Sequence, residues 1–165
     1  ETVKSFGVRS RFVHFEFFRL LSDHEGLGKK GDLMALEVNM RPSGGFTPDM
    51  INFARETDVY KIWADMIAYD STQKQVGAHH FCAFAGLRDG KDFAMTPDAI
   101  IEKYTEQLKM VERMPDALAD AMGNQMYLAT FDTEEALNAF FADVTRLKEV
   151  DTSEESETTE TIIDK

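Results

Sequence analysis

The chain has 165 residues, of which 43% are hydrophobic, and its 30 acidic residues against 18 lysines and arginines give a formal net charge of −12. This length supports one sizeable core, while an acidic chain without a clustered basic stripe excludes nucleic acid and anionic membrane surfaces as first partners. No apolar run is long enough for a membrane span and no signal peptide is recognisable, which predicts a cytoplasmic protein.

Strand and helix periodicities alternate along the chain, which predicts an α+β fold with an antiparallel sheet and helices packed mainly on one face. The first strand, Phe12–Phe18, is a continuous aromatic and β-branched run and is predicted to be buried on both faces. A glycine-containing loop over 22–31 makes a hairpin with the second strand, Asp32–Asn39. Proline and glycine in the segment Arg41–Gly45 then end that strand.

Helices and strands are predicted for the rest of the chain as well. Thr47 is expected to cap a helix over Pro48–Arg55, and Trp63 is expected to anchor a helix over Val59–Tyr69 in the core. The later predicted elements are a strand over Val76–Arg88, a helix over Pro97–Gln107, a strand over Met110–Met114, a helix over Pro115–Met122, a strand over Gln125–Phe131 and a helix opened by Asp132 and Glu135 in capping-box spacing.

The end of the chain differs sharply in composition. Residues 149–165 contain seven acidic residues and one lysine, with three apolar residues, and are predicted to form a disordered acidic tail. Residues 1–148 are predicted to form one lobe. Because the first residue is not Met and a core strand follows almost at once, the sequence is interpreted as a fragment of a longer polypeptide, with N-terminal processing as the alternative.

Three oxygen-bearing side chains are predicted to converge at the hairpin. Strand alternation places Leu33, Ala35, Glu37 and Asn39 on one face of the second strand. If the two strands pair antiparallel, Glu16 lies next to Glu37 or Asn39, about 5 Å away. Two carboxylates and an amide oxygen suit Mg²⁺, and a cation would resolve the repulsion between the carboxylates.

The segment Glu37–Gly45 reads Glu-Val-Asn-Met-Arg-Pro-Ser-Gly-Gly, which resembles the E-x-N-x-R-P-x-G-G signature of ATP-grasp carboxylate–amine ligases. Glu16 resembles the upstream carboxylate of that fold, and the similarity extends over most of Phe12–Leu147. The resemblance implies that Glu16, Glu37 and Asn39 hold one or two Mg²⁺ or Mn²⁺ ions that bridge the β- and γ-phosphates of ATP.

The resemblance also assigns roles to the residues that follow. Arg41, which alternation places on the same face, would contact the nucleotide and stabilise the transferring phosphoryl group or the acyl phosphate. Ser43, Gly44 and Gly45 would form a loop whose backbone amides approach a bound anion or a substrate carboxylate.

The implied reaction is activation of a small-molecule carboxylate as an acyl phosphate, followed by transfer to an amine, as in amino-acid or peptide ligases. The lobes that clamp adenine and the α- and β-phosphates in this family precede such a region, so this chain alone is expected to be inactive and to require those N-terminal lobes. A biotin-carboxylase-like or carbamoyl-phosphate-forming enzyme is one alternative. A non-catalytic binding module with a structural ion-pair cluster of Glu16, Glu37 and Arg41 is another. The sequence is also compatible with a homodimer.

Histidine and cysteine residues give no further metal signal. His79, His80 and Cys82 lie in one predicted strand, where adjacent side chains point to opposite faces, and no second ligand pair has zinc spacing. A lone cysteine also excludes an intrachain disulfide and a multi-thiolate zinc site, so Cys82 is predicted to be a buried, inert thiol. His14 shares a face with Glu16 and is either a satisfied core histidine or a partner that orients Glu16.

Overall fold

The computed structural model describes residues 2–73 and 77–149. The predicted α+β class is confirmed, and α3 and β5 have the predicted bounds. The helices in the described part of the chain are α1 (Thr2–Ser5), α2 (Thr47–Arg55), α3 (Val59–Tyr69), α4 (Pro97–Lys103), α5 (Asp116–Met122) and α6 (Glu134–Thr145). The strands there are β1 (His14–Arg19), β2 (Leu33–Asn39), β3 (Phe81–Leu87), β4 (Leu108–Arg113) and β5 (Gln125–Phe131).

The chain divides into two compact units, and the stretch predicted as one lobe is shared between them. Unit 1 consists of Glu1–Ala83 and Thr130–Thr133, and unit 2 consists of Phe84–Ala129 and Glu134–Lys165. The strands form a two-stranded sheet, β1-β2, and a three-stranded sheet in the order β3-β5-β4.

In unit 1, β1 and β2 pair antiparallel, as expected for a hairpin, but the ladder contains an irregularity. Glu16 pairs with Glu37, whereas the next residue, Phe17, pairs with Ala35, so β2 has one extra residue between them. Cross-strand partners share a face, and successive residues of β1 alternate, so Ala35 lies on the face opposite to Glu37. The prediction that Leu33 and Ala35 share the face of Glu37 is therefore wrong, because one inserted residue reverses the alternation.

The hairpin is also less covered than its sequence predicts. No residue of β1 is buried, and the exposed fractions of Phe17 and Phe18 are 46% and 59%. The prediction of a strand buried on both faces is wrong because, in the described part of the chain, β1 belongs to a sheet of only two strands. A continuous apolar run shows that a strand can be buried on both faces. It does not show whether other elements of the fold cover those faces.

Helices α2 and α3 begin by different means. The residue before α2 is Phe46, which gives no side-chain cap, and Thr47 is already helical, so the predicted cap at Thr47 is wrong. Asp58 precedes α3, and its Oδ1 accepts a hydrogen bond from Lys61 N at 2.9 Å. Trp63 is 41% exposed and does not anchor a core as predicted, since α3 buries Val59 instead.

Unit 2 holds most of the buried side chains. β4 pairs antiparallel with β5, which is buried along most of its length. Fully buried large side chains of this unit are Tyr127, Phe140, Ile100, Met126, Leu128 and Val144. These side chains come from α4, β5 and α6, so the core of this unit is built from both helices and strands.

Two features complete the description. No helix within residues 2–73 and 77–149 is long and apolar enough to cross a membrane. The acidic tail predicted over 149–165 lies outside the described residues apart from Glu149, and so does Val76, the predicted start of the third strand.

Candidate functional site

The hairpin brings the three predicted oxygen donors together on one face of unit 1. Glu16 and Glu37 are direct cross-strand partners, and His14 is the partner of Asn39. Asn39 Nδ2 donates a hydrogen bond to Glu37 Oε1, and His14 Nε2 lies 3.2 Å from Glu16 Oε1. Each carboxylate therefore has one polar neighbour on its own strand, while the two carboxylates oppose each other.

The cluster is half-open to solvent. The exposed fraction of the Glu16 side chain is 43% and that of His14 is 22%, while Asn39 is half-buried and Glu37 is exposed. The prediction of a buried Glu16 is wrong for the same reason as that of the buried strand. Because the cluster is exposed, a ligand can approach both carboxylates from solvent.

Of the two roles predicted for His14, the structure favours the one in which it orients Glu16. Its Nε2 contacts the carboxylate of Glu16, while its Nδ1 is buried and has no hydrogen-bond partner among the described residues. The alternative of a satisfied core histidine therefore does not hold for this residue. This contact of Nε2 with the carboxylate restrains the position of Glu16, as partners outside a ligand shell do in metal sites.

The segment after β2 continues directly from the cluster. Arg41 Nη1 donates to Pro42 O at 2.9 Å, and the side chain of Arg41 is exposed. Within the described residues, no ion pair joins Arg41 to Glu37 or Glu16. The structure thus places Arg41 next to the cluster in sequence but does not bring its guanidinium onto the carboxylates.

The loop itself is open. Ser43 is half-buried, whereas Gly44 and Gly45 are exposed, and Gly45 has a φ of 59°. This left-handed conformation favours glycine and turns the chain toward α2. The loop leaves backbone groups at Gly44 accessible beside the strand that carries Glu37.

The donor set fits magnesium better than a fully protein-ligated metal. Among residues 2–73 and 77–149, no group of three or more His, Cys, Asp or Glu side chains is arranged to hold a metal ion. Magnesium is usually held by one or two carboxylates, with water and substrate phosphates as its other ligands. Two opposed carboxylates with an adjacent amide match that pattern, whereas zinc would require further nitrogen or sulfur ligands.

His80 has partners that sequence analysis did not identify. His80 Nδ1 lies 2.8 Å from Asp132 Oδ1, and His80 Nε2 lies 3.8 Å from Glu56 Oε1. These residues are far apart in sequence, and no local spacing indicates their proximity. The contacts connect the end of α2, the start of β3 and the residue that precedes Thr133 and α6.

Cys82 is the inert thiol that the sequence predicts. It is half-buried, and burial raises the pKa of Cys82 to about 11. A thiol with this pKa is almost entirely protonated at neutral pH and is a poor nucleophile or metal ligand.

Comparison with known proteins finds no family model that matches the chain and no curated protein with significant sequence similarity to it.

Proposed function

We propose that this chain is the C-terminal part of an ATP- and Mg²⁺-dependent ATP-grasp ligase that activates a carboxylate as an acyl phosphate and transfers it to an amine. The observation that carries the proposal is the direct pairing of Glu16 with Glu37, with Asn39 hydrogen-bonded to Glu37 on the same face. The arrangement has the hard-oxygen chemistry that the signature implies, at the positions that the signature names.

The residues of the hairpin and of the loop after it would have different roles in the proposed reaction. Glu16, Glu37 and Asn39 would hold Mg²⁺, which neutralises charge on the β- and γ-phosphates of ATP when it is bound. Arg41 is exposed and would turn from Pro42 O toward the transferring phosphoryl group, where a guanidinium supplies parallel hydrogen bonds. Ser43, Gly44 and Gly45 would receive the carboxylate substrate through the backbone of the open loop.

Exposed apolar side chains in unit 1 support a requirement for further lobes. Phe18 and its cross-strand partner Met34 lie on the face of Glu16, and Phe18 is 59% exposed. Trp63 and Ile67 of α3 are 41% and 60% exposed. Large exposed apolar side chains on the hairpin and on α3 support surfaces that another layer covers, such as the nucleotide-binding lobes of a longer polypeptide.

The alternative of a non-catalytic module is less well supported. It requires a structural ion-pair cluster in which Arg41 neutralises the carboxylates, and the described structure contains no such pair. A biotin-carboxylase-like or carbamoyl-phosphate-forming enzyme would use the same metal ligands, so it differs in its substrates. An assay of ADP release with bicarbonate in place of amino acids distinguishes that alternative from an amino-acid or peptide ligase.

The test is ADP release by the polypeptide that includes the nucleotide-binding lobes, screened against pairs of carboxylates and amines. Glu16→Gln, Glu37→Gln and Asn39→Ala are each expected to reduce turnover by about a hundredfold or more, because charge neutralisation and positioning dominate phosphoryl transfer. Glu25→Gln, an exposed acid in the same hairpin, is the matched control and is expected to retain normal turnover. Near-normal ADP release in all three site variants would rule out the metal assignment.

A further inference from the structure

Unit 2 contains a cavity of about 410 Å³ that sequence analysis did not identify. Its walls come from the end of β3, the 88–96 loop, the start of α4 and the adjacent strands β4 and β5. All the residues that line it belong to unit 2. This volume is within the usual range of about 300–1,000 Å³ for small-molecule pockets.

The floor of the cavity is apolar but includes one unsatisfied hydroxyl. Ile100 and Tyr127 are 0% exposed and Leu87 is 8% exposed. The hydroxyl of Tyr127 is buried, and no hydrogen-bond partner exists for it among the described residues. Burial raises the pKa of Tyr127, so the hydroxyl keeps its proton and can donate a hydrogen bond. Buried hydroxyls almost always have partners, which indicates that an acceptor from outside the protein fits here.

A guanidinium lies on the same face of the sheet as this hydroxyl. Arg113 is the cross-strand partner of Gln125, and Tyr127 is two residues farther along β5. Arg113 Nη1 and Nη2 donate to the two carboxylate oxygens of Asp89 at 2.8 and 2.6 Å. A guanidinium has five N–H groups, so this bidentate pair holds Arg113 in place and leaves donors for another acceptor.

The charges around the cavity favour an anion, although the chain as a whole is strongly acidic. The lining contains three cationic side chains and two carboxylates. The charges of Asp89 and Arg113 offset each other, which leaves two cations against the carboxylate of Asp92. Lys91 adds an exposed ammonium group at the loop. A cationic ligand would meet this excess of positive charge, whereas a carboxylate would complement it.

We infer that this cavity binds a small monocarboxylate with an apolar body, whose carboxylate accepts hydrogen bonds from Tyr127 and Arg113 and whose hydrocarbon part packs on Leu87 and Ile100. The inference does not depend on the proposed ligase function, because the hairpin of unit 1 contributes no residue to this site.

The experiment is an NMR titration of the full chain with 3-phenylpropanoate, compared with the uncharged 3-phenylpropan-1-ol. The carboxylate is expected to cause saturable shifts at amides of the 88–97 loop and of β5 at about millimolar concentration. The alcohol lacks the charged acceptor, so it is expected to bind about tenfold more weakly than 3-phenylpropanoate. Tyr127→Phe is expected to weaken the binding of 3-phenylpropanoate by a similar factor. It is not expected to lower the thermal midpoint of unfolding, since no hydrogen bond within the protein is lost.

Tyr104→Phe is the matched control. Tyr104 is also buried in unit 2, but it lies outside the cavity, and its hydroxyl donates to Asp143 Oδ2 at 2.5 Å. This variant is expected to bind 3-phenylpropanoate like the wild type while it unfolds at a lower temperature. The inference is overturned if the wild type shows no saturable shifts up to about 20 mM. It is also overturned if Tyr127→Phe binds as tightly as the wild type, or if the alcohol binds as tightly as the carboxylate.

Discussion

Glu16 and Glu37 lie directly opposite each other in the antiparallel β1–β2 ladder, so that two carboxylates share one face of a two-stranded sheet. Like charges at opposed positions destabilise a sheet. Neighbouring His14 and Asn39 each contact one carboxylate, but neither lies between the two acids. The pair therefore costs folding energy in the absence of a cation, as expected of a site arranged for a ligand and not for stability.

Replacement of one carboxylate is expected to stabilise the metal-free protein. Glu37→Gln removes the repulsion but keeps an oxygen for Asn39, so the free energy of unfolding in urea is expected to rise by about 0.5 kcal/mol at low ionic strength. The gain is expected to shrink at about 1 M salt, where the Debye length is about 3 Å. Millimolar Mg²⁺ is expected to stabilise the wild type and not the variant.

Glu25→Gln is the control for general charge effects, because it lowers the acidic charge of the same hairpin without changing the cluster. It is expected to leave the free energy of unfolding within about 0.3 kcal/mol of the wild type. A Glu37→Gln protein that is less stable than the wild type at low salt would show that this carboxylate already has a stabilising partner.

Sequence reasoning predicted the hairpin because its determinants are local. A polar, glycine-containing loop joins two apolar runs, which brings Glu16 and Glu37 onto neighbouring strands. The irregularity after Glu16 was not predictable, because neither Leu36 nor its neighbours are residues that mark a bulge. The predicted face of Ala35 is therefore wrong, whereas Glu37 and Asn39 share a face as predicted, because both follow the extra residue of β2.

Burial was less predictable than strand or helix type. Trp63 and Phe18 have the spacing of residues that face a core, yet both are exposed in unit 1. Periodicity reports which side chains share a face, whereas the presence of a covering layer depends on other parts of the fold. In unit 2, helical spacing predicts a buried stripe that includes Phe140, Val144 and Leu147. Phe140 and Val144 are fully buried, whereas Leu147 lies beyond the end of α6 and is 52% exposed.

Contacts between distant parts of the chain were not predictable at all. His80 and Asp132 are 52 residues apart, and only the finished fold places their side chains in contact. The sequence predicts a capping role for Asp132 at the last helix, whereas the structure begins α6 at Glu134 and gives Asp132 a histidine partner.

A double-mutant cycle is expected to detect the coupling between His80 and Asp132. His80→Ala and Asp132→Ala are each expected to lower the free energy of unfolding by about 0.5–1 kcal/mol, since Asp132 is mostly exposed and solvent weakens the pair. The double variant is expected to lose about 0.5 kcal/mol less than the sum of the single losses, measured by urea unfolding. Strict additivity would show that the contact contributes nothing and that Asp132 acts only at the start of α6.

The hydrogen bond between Tyr104 and Asp143 is expected to make stability depend on pH at both extremes. Burial, followed by the hydrogen bond and charge of Asp143, raises the pKa of Tyr104 to about 12. Hydrogen bonds from Lys103 and then from Tyr104 lower the pKa of Asp143. Because the raised pKa favours the protonated phenol in the folded state, its contribution is present below pH 10 and is lost as the pH rises from about 10 to 12.

At acid pH, stability depends on pH in the opposite direction. Because the folded state favours the ionised form of Asp143, its contribution is present above the unfolded pKa of about 3.9 and is lost as the pH falls through the lower folded value. Tyr104→Phe is expected to lower the free energy of unfolding at pH 7 by about 1–2 kcal/mol and to flatten the alkaline decline. Asp143→Asn is expected to flatten the acid decline. Unchanged pH profiles, measured by urea unfolding from pH 2 to about 12, would contradict this assignment.

Gly86 is required by the close approach of β3 to the end of α5. A Cβ added at Gly86 would lie 1.9 Å from Met122 O and 2.9 Å from Met122 C, and these are backbone atoms that cannot turn aside as a side chain can. Gly86→Ala is therefore expected to lower the free energy of unfolding by about 3 kcal/mol and the thermal midpoint by roughly 10 °C. Gly44→Ala is the matched control, since an added Cβ there meets no atom of the described residues within 4 Å. Its free energy of unfolding is expected to change by less than about 0.5 kcal/mol. Equal stability of the two variants would mean that β3 and α5 can separate at little cost.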